Sequence, residues 1–274
     1  MKFGLLGWAV LLLHCGGESP APMSLDAAVD SEPSLELPDL PATPGLCAHL
    51  EDSHGAPRAS VPATLCSSKI CLSGKSDGEG SLCFHPMPGE YYLHAVGDAE
   101  LHFGDLFFPV SLDTESTKWP ATLGEHLIQP SVPERQTVTV ATGGTLRFKS
   151  GDIALTIPAG VLQLPSHPES GLVAALQVPL AEVDARLLAT HSGTPEAVYL
   201  LLPQGAKLKP MPNLDVVLSL ETALPTGTKL EVALADPATA HLRSNGAAEV
   251  SNGRIVSTAG HGLTGFGWIA LYRQ

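Results

Sequence analysis

The chain has 274 residues and carries 15 Lys and Arg against 28 Asp and Glu, a formal charge of −13. That balance excludes a nucleic-acid binder, which needs a basic face against phosphates, and adsorption to anionic lipid through clustered Lys and Arg. Charged residues are 16 % of the chain while Gly and Pro number 27 and 24, so short strands joined by turns suit it better than long exposed helices.

Residues 1–14 read as an export signal, with Lys2 ahead of an apolar run of ten residues from Gly4 to Leu13. Ten is too few to cross a bilayer, which needs about 20. The run ends at Leu12-Leu13-His14-Cys15, which resembles the lipobox of bacterial lipoproteins through Leu12 and Cys15. The resemblance implies cleavage before Cys15 and lipidation of its thiol. Gly16 after the cysteine resembles the outer-membrane sorting class, so the expected address is the cell envelope, with the membrane reached through a lipid anchor. A chain cut elsewhere would be secreted.

Residues 15–45 read as that lipidated cysteine followed by a tether. Gly16 to Gly45 holds six Pro, six acids and no Lys or Arg. Such a stretch buries too little apolar surface to offset its ordering entropy, so a disordered, acidic spacer is expected.

Cys47, Cys66, Cys71 and Cys83 remain, an even number within an exported chain, which predicts two disulfides. Three connectivities are open. Cys66 with Cys71 is favoured, because the four residues between them can turn a hairpin and set the two Cα atoms opposite each other. Cys47 then pairs with Cys83. A zinc site from Cys66, Cys71, Cys83 and His85 is the competing reading, but no C-x-x-C pair is present and export favours bridges.

From residue 46 onward the chain reads as all-β, with strands at Val61–Cys66, Ser81–Phe84 and Glu90–Val96 separated by turn clusters such as Lys75–Gly80. The blocks Asp52-Ser53-His54-Gly55-Ala56-Pro57, Ser76-Asp77-Gly78-Glu79-Gly80 and Pro88-Gly89-Glu90-Tyr91-Tyr92-Leu93 resemble the carboxypeptidase regulatory-like domain. That implies a small prealbumin-like β-sandwich over 46–132.

Farther on, Ile153, Leu155 and Ile157 alternate, as do Leu214, Val216, Leu218 and Leu220, then Leu230, Val232 and Leu234, which predicts strands with one buried face. Turns are expected at Pro203-Gln204-Gly205, Pro225-Thr226-Gly227 and Ser244-Asn245-Gly246. Asn252-Gly253 is a strong two-residue hairpin signal. Only Leu180–Thr190 has helical spacing. Gly143-Gly144-Thr145-Leu146, Leu155-Thr156-Ile157-Pro158-Ala159-Gly160 and Tyr199-Leu200-Leu201-Leu202-Pro203-Gln204-Gly205 resemble the ZU-type domain of ankyrins, zonula occludens proteins and netrin receptors. That implies a second β-sandwich over 136–274, non-catalytic and used for protein contact.

Candidate chemistry is sparse. Gly74-Lys75-Ser76-Asp77-Gly78 satisfies G-x-S-x-G, but a nucleophile elbow needs a helix after it, so Ser76 is expected in a surface turn. Asp77 and Glu79 offer too few carboxylates for calcium. His85, His94 and His102 could converge across a sheet, with a solvated or half-buried His94 as the simpler expectation. His261-Gly262-Leu263-Thr264 resembles autoproteolytic sites that cleave ahead of a hydroxyl residue, with Gly262 displacing the histidine by one position. The resulting reading has no catalytic residues, no metal site and no cofactor. It is a non-catalytic binding or structural module facing an unidentified protein or polysaccharide of the envelope. Self-cleavage near Leu263 and Thr264 and carbohydrate binding at the surface are the alternatives.

Overall fold

The computed structural model describes residues 46–98, 100–113, 121–122, 126–165, 169–209, 216–258, 260 and 262–274. The expected leader, Cys15, the tether, Leu214 and His261 lie outside them. The described residues are all-β apart from a 3-10 turn at Leu180–Glu182 and a single helical turn, α1, at Ala185–Leu188.

The first eight strands are β1 Leu46–Asp52, β2 Pro62–Cys66, β3 Cys71–Lys75, β4 Ser81–Phe84, β5 Gly89–Ala95, β6 Leu106–Leu112, β7 Ala121–Thr122 and β8 Leu127–Gln129. They make two sheets. One is β4-β1, with β7 and β8 running parallel to β1 on its other edge; the other is β3-β2-β5-β6. Strict alternation explains their packing: Leu46, Ala48 and Leu50 of β1 and Tyr91, Leu93 and Ala95 of β5 are buried, while their neighbours in sequence are partly or fully exposed.

Both turns singled out in this region are held by an aspartate. Asp52 Oδ1 accepts from the backbone N–H groups of His54 and Ala56, and Asp77 Oδ1 from those of Glu79 and Ser81. The two N–H donors at Asp52 hold its carboxyl below the usual aspartate range. Asp77 thus spends an oxygen on its own turn.

The cysteines pair as expected, Cys47 with Cys83 and Cys66 with Cys71. Each pair sits in register across two antiparallel strands, β1 against β4 and β2 against β3. This removes the thiols that the zinc alternative required.

Ser76 departs from expectation: it is buried, 4 % exposed, at the end of β3. Its hydroxyl donates to the Arg58 carbonyl at 2.6 Å and accepts from the Val61 N–H at 2.9 Å. The glycines around it form the next turn, while Ser76 itself ties the entry of β2 to the loop before it. Ser76→Ala should therefore destabilise the chain by about 1–3 kcal/mol, the cost of leaving two buried backbone groups unpaired, and urea unfolding monitored by circular dichroism checks this.

The remaining strands are β9 Gln136–Thr139, β10 Gly144–Phe148, β11 Ile153–Ile157, β12 Leu162–Gln163, β13 Ser170–Val178, β14 Ala197–Leu202, β15 Lys207–Leu208, β16 Val217–Glu221, β17 Lys229–Ala235, β18 Leu242–Ser251, β19 Arg254–Ser257 and β20 Trp268–Arg273. Ten of them form one ladder in the order β10-β11-β16-β19-β18-β17-β20-β14-β13-β9, and β12 pairs with β15. The ladder folds over a core that joins Phe148, Ile153 and Leu155 on one side to Tyr199, Leu201, Ile269 and Leu271 on the other. The expected inward faces of β11 and β16 are found there: Ile153, Leu155 and Ile157, and Val216, Leu218 and Leu220, are each at most 2 % exposed.

Asn252 and Gly253 turn the β18–β19 hairpin with φ of 51° and 71°, the left-handed pair that a two-residue type I′ turn demands. Ser244-Asn245-Gly246, by contrast, is no turn. It lies inside β18, where Val232 pairs with Gly246 and Ala233 with Ser244, so Asn245 is the extra residue of a β-bulge. Polar turn-forming residues suit a bulge as well as a turn, and sequence alone does not separate the two.

The outer faces of β13, β14, β17 and β20 do not meet solvent. Leu176, Leu200, Leu202, Ala233, Trp268, Ala270 and Tyr272 belong to the same hydrophobic cluster as Leu50, Leu65, Leu93 and Phe108 of the first two sheets. All six residues of β14 are buried for this reason, as is every residue of β20 except Arg273. Gly104 lies at this junction, where Leu200 Cδ2 occupies the space a Cβ would need, and the Arg186 guanidinium of α1 sits 4.1 Å over the Phe108 ring.

Candidate functional site

The strands that share this core also build a cleft of about 670 Å³ at their rim. His94, Asp98, Leu101 and Asp105 form one wall, and Leu172, Leu202 and Gln204 belong to the other. A preformed, largely apolar recess with a few convergent polar groups is the usual form of a ligand site.

Asp105 organises the polar wall. Its Oδ2 accepts from His94 Nε2 at 2.9 Å, its Oδ1 accepts from the Gly97 N–H at 2.6 Å, and its backbone carbonyl accepts from Trp268 Nε1 at 3.0 Å. Gly97 suits this close approach, since a Cβ there would come within 2.8 Å of Asp105 Oδ1. The His94 ring is further held edge-on to Phe107, centroids 5.5 Å apart. His94 is half-buried, as expected, with 29 % of its side chain exposed.

The three histidines suspected of converging are not brought to one point by these contacts. His94 pairs with Asp105, and His102 Nδ1 pairs with Asp98 Oδ2 at 3.0 Å. On the opposite wall Gln204 Oε1 is buried without a hydrogen-bond partner among the described residues. The cleft is thus equipped to hold a chain or ring by shape, with an oriented imidazole on one side and the apolar Leu172 and Leu202 on the other.

The nucleophile candidates lie in other settings. The Ser76 hydroxyl is committed to backbone, as described above. Thr264 Oγ1 accepts from Asn245 Nδ2 at 2.5 Å, and the Thr264 N–H donates to Asn245 Oδ1 at 3.2 Å, so the bulge in β18 clamps this residue. Away from the cleft lining, His191 stacks on Tyr272 at 4.0 Å and its Nε2 reaches Glu231 at 3.4 Å. Burial and the Glu231 carboxylate both raise the Tyr272 pKa, which keeps that phenol neutral.

One further group was not anticipated from sequence. His49, Glu51 and His126 place one donor atom each within 4.8 Å of one another. Alternation along β1 puts His49 and Glu51 on one face, and this much was readable. His126 arrives only through the parallel pairing of β8 with β1, which no local pattern announces.

The sequence matches no protein-family model and no curated protein. Among solved structures, the chain is similar to a DUF3823 family protein from Parabacteroides merdae, at 9 % identity over 84 % of this chain and 97 % of that one, with a TM-score of 0.23. A DUF3823 family protein from Bacteroides ovatus is similar at 10 % identity over 79 % of this chain and 96 % of that one, TM-score 0.24. BcpA, the major pilin subunit of Bacillus cereus, is similar at 10 % identity over 84 % of this chain and 57 % of that one, TM-score 0.24. The fold itself defines the class: an all-β protein of packed sheets, stapled by two disulfides. Among the described residues, no helix is long and apolar enough to cross a membrane.

Proposed function

We propose that the chain is a non-catalytic module of a bacterial cell envelope, anchored through a lipid on Cys15 and held off the membrane by the acidic tether. In this reading a carboxypeptidase regulatory-like sandwich over 46–132 is followed by a ZU-type sandwich over 136–274. The pair acts as one rigid receptor for an extended segment of an envelope protein or polysaccharide.

The observation that carries the reading is the cleft at the shared core. Its walls stand on β5, β9, β13 and β14 or on segments adjoining strands, and both sheet systems contribute to it. Sites built on packed strands keep their geometry without a ligand, which lowers the ordering cost of binding. The known hydroxyl candidates add support, because Ser76 is tied to backbone and Thr264 to Asn245.

Titration of the isotope-labelled chain with soluble peptide and glycan fragments of its own envelope tests this. Amide shifts should gather at His94, Asp98, Leu101 and Leu172 and vanish in Leu172→Arg, which fills the recess with a charged side chain. Shifts confined to other surfaces, or equal in Leu172→Arg, would exclude the cleft as the receptor.

A further inference from the structure

We propose that His49, Glu51 and His126 form a binding site for a divalent first-row transition metal, with zinc as the reference ion. The inference does not depend on the anchoring or receptor reading above. It starts from register. His49 and Glu51 are alternate residues of β1 on the face opposite the buried Leu46, Ala48 and Leu50. Leu50 pairs with Leu127 in the parallel β1–β8 ladder, so one residue back along both strands His126 stands beside His49. The three side chains thus share one outer face of a sheet.

Their geometry is already close to that of a coordinated set. Glu51 Oε2 and His126 Nδ1 are 2.9 Å apart, the His49 and His126 rings meet edge-on with centroids at 5.7 Å, and no two donor atoms exceed 4.8 Å. Donors around a tetrahedral zinc lie about 3.3 Å from one another, so rotation of the more exposed side chains closes the set. His126 has that freedom, with 58 % of its side chain exposed, while Glu51 is held at 15 %. The backbone beneath is fixed: the Leu50 N–H donates to the Gly80 carbonyl, the Arg58 N–H donates to the Leu50 carbonyl, and Cys47–Cys83 staples β1 to β4 two residues away on the same face.

The chemistry of the donors selects the ion. Two imidazoles and one carboxylate suit Zn²⁺, Ni²⁺ or Cu²⁺, whereas Ca²⁺ and Mg²⁺ prefer oxygen ligands throughout. On binding through Nδ1 the metal takes the place of the hydrogen between His126 and Glu51; the neutral imidazole then carries its one N–H on Nε2, so the ring stays neutral and no net proton is released. Three protein ligands on an exposed face leave at least one coordination position open to water or to an outside ligand.

The test is calorimetric titration of the full chain, stripped with a chelator, using zinc alone. One zinc per chain is expected, with His49→Ala and His126→Ala each binding at least about tenfold more weakly. His191→Ala, whose imidazole pairs with Glu231 elsewhere, should keep the wild-type affinity. Imidazole resonances of the wild type give an arm that needs no variant to fold: zinc should move those of His49 and His126 and leave that of His191. Zinc uptake that is equal in the wild type and in the His49→Ala/His126→Ala double variant, or shifts confined to other histidines, would overturn the proposal.

Discussion

Trp268→Ala is expected to cost about 4 kcal/mol, the largest effect of any single side chain at the junction of the two sheet systems. Trp268 is 2 % exposed and belongs to the cluster that also holds Phe108, Leu200 and Leu93. Truncation would leave an indole-sized void between the sheets. It would also strip the Asp105 carbonyl of its Nε1 donor and so loosen the residue that orients His94. Urea unfolding should therefore show a lower midpoint with the change spread over the whole chain, because both sheet systems lean on the same core. A change below about 1 kcal/mol would mean that the sheets do not share this core in solution.

Loss of the Cys47–Cys83 bridge should weigh about as much, and about twice as much as loss of Cys66–Cys71. The first closes a loop of 36 residues and the second a loop of 5. On the chain-entropy account these constrain the unfolded chain by about 4 and about 2 kcal/mol respectively. Cys47→Ala/Cys83→Ala and Cys66→Ala/Cys71→Ala double variants, compared by thermal unfolding at equal pH, measure the ratio directly. Equal losses would contradict it. Structure adds a reason for the order, since Cys47 and Cys83 join the edge strand β4 to β1, on which the parallel strands β7 and β8 also depend.

What could be read in advance, and what could not, follows from the range of the interactions. Asn252-Gly253 announces its hairpin because the turn is encoded by the two residues that make it, and Cys66 and Cys71 announce theirs because only four residues lie between them. The alternation of Ile153, Leu155 and Ile157 named the buried face because a strand has a period of two. β14 is the instructive case. Its run Ala-Val-Tyr-Leu-Leu-Leu shows no alternation, and the structure gives the reason, since both faces are covered. Ser76 departs from the surface turn expected of it because its glycine-rich flank describes the turn after it, while its own partners are 15 and 18 residues away. Asp105 and Trp268, 163 residues apart, and His49 and His126 on parallel strands meet only when the topology is known. The polar wall of the cleft and the candidate metal set are both products of that topology.

The intact mass of protein purified from its own membranes distinguishes a lipid-anchored, uncut module from a secreted or self-cleaving one. The predicted result is a single chain beginning at Cys15 that carries the mass of a lipid anchor, lacks the hydrogens lost on forming two disulfides, and is unbroken between Leu263 and Thr264. An unacylated chain, or two fragments split between Leu263 and Thr264, would contradict it.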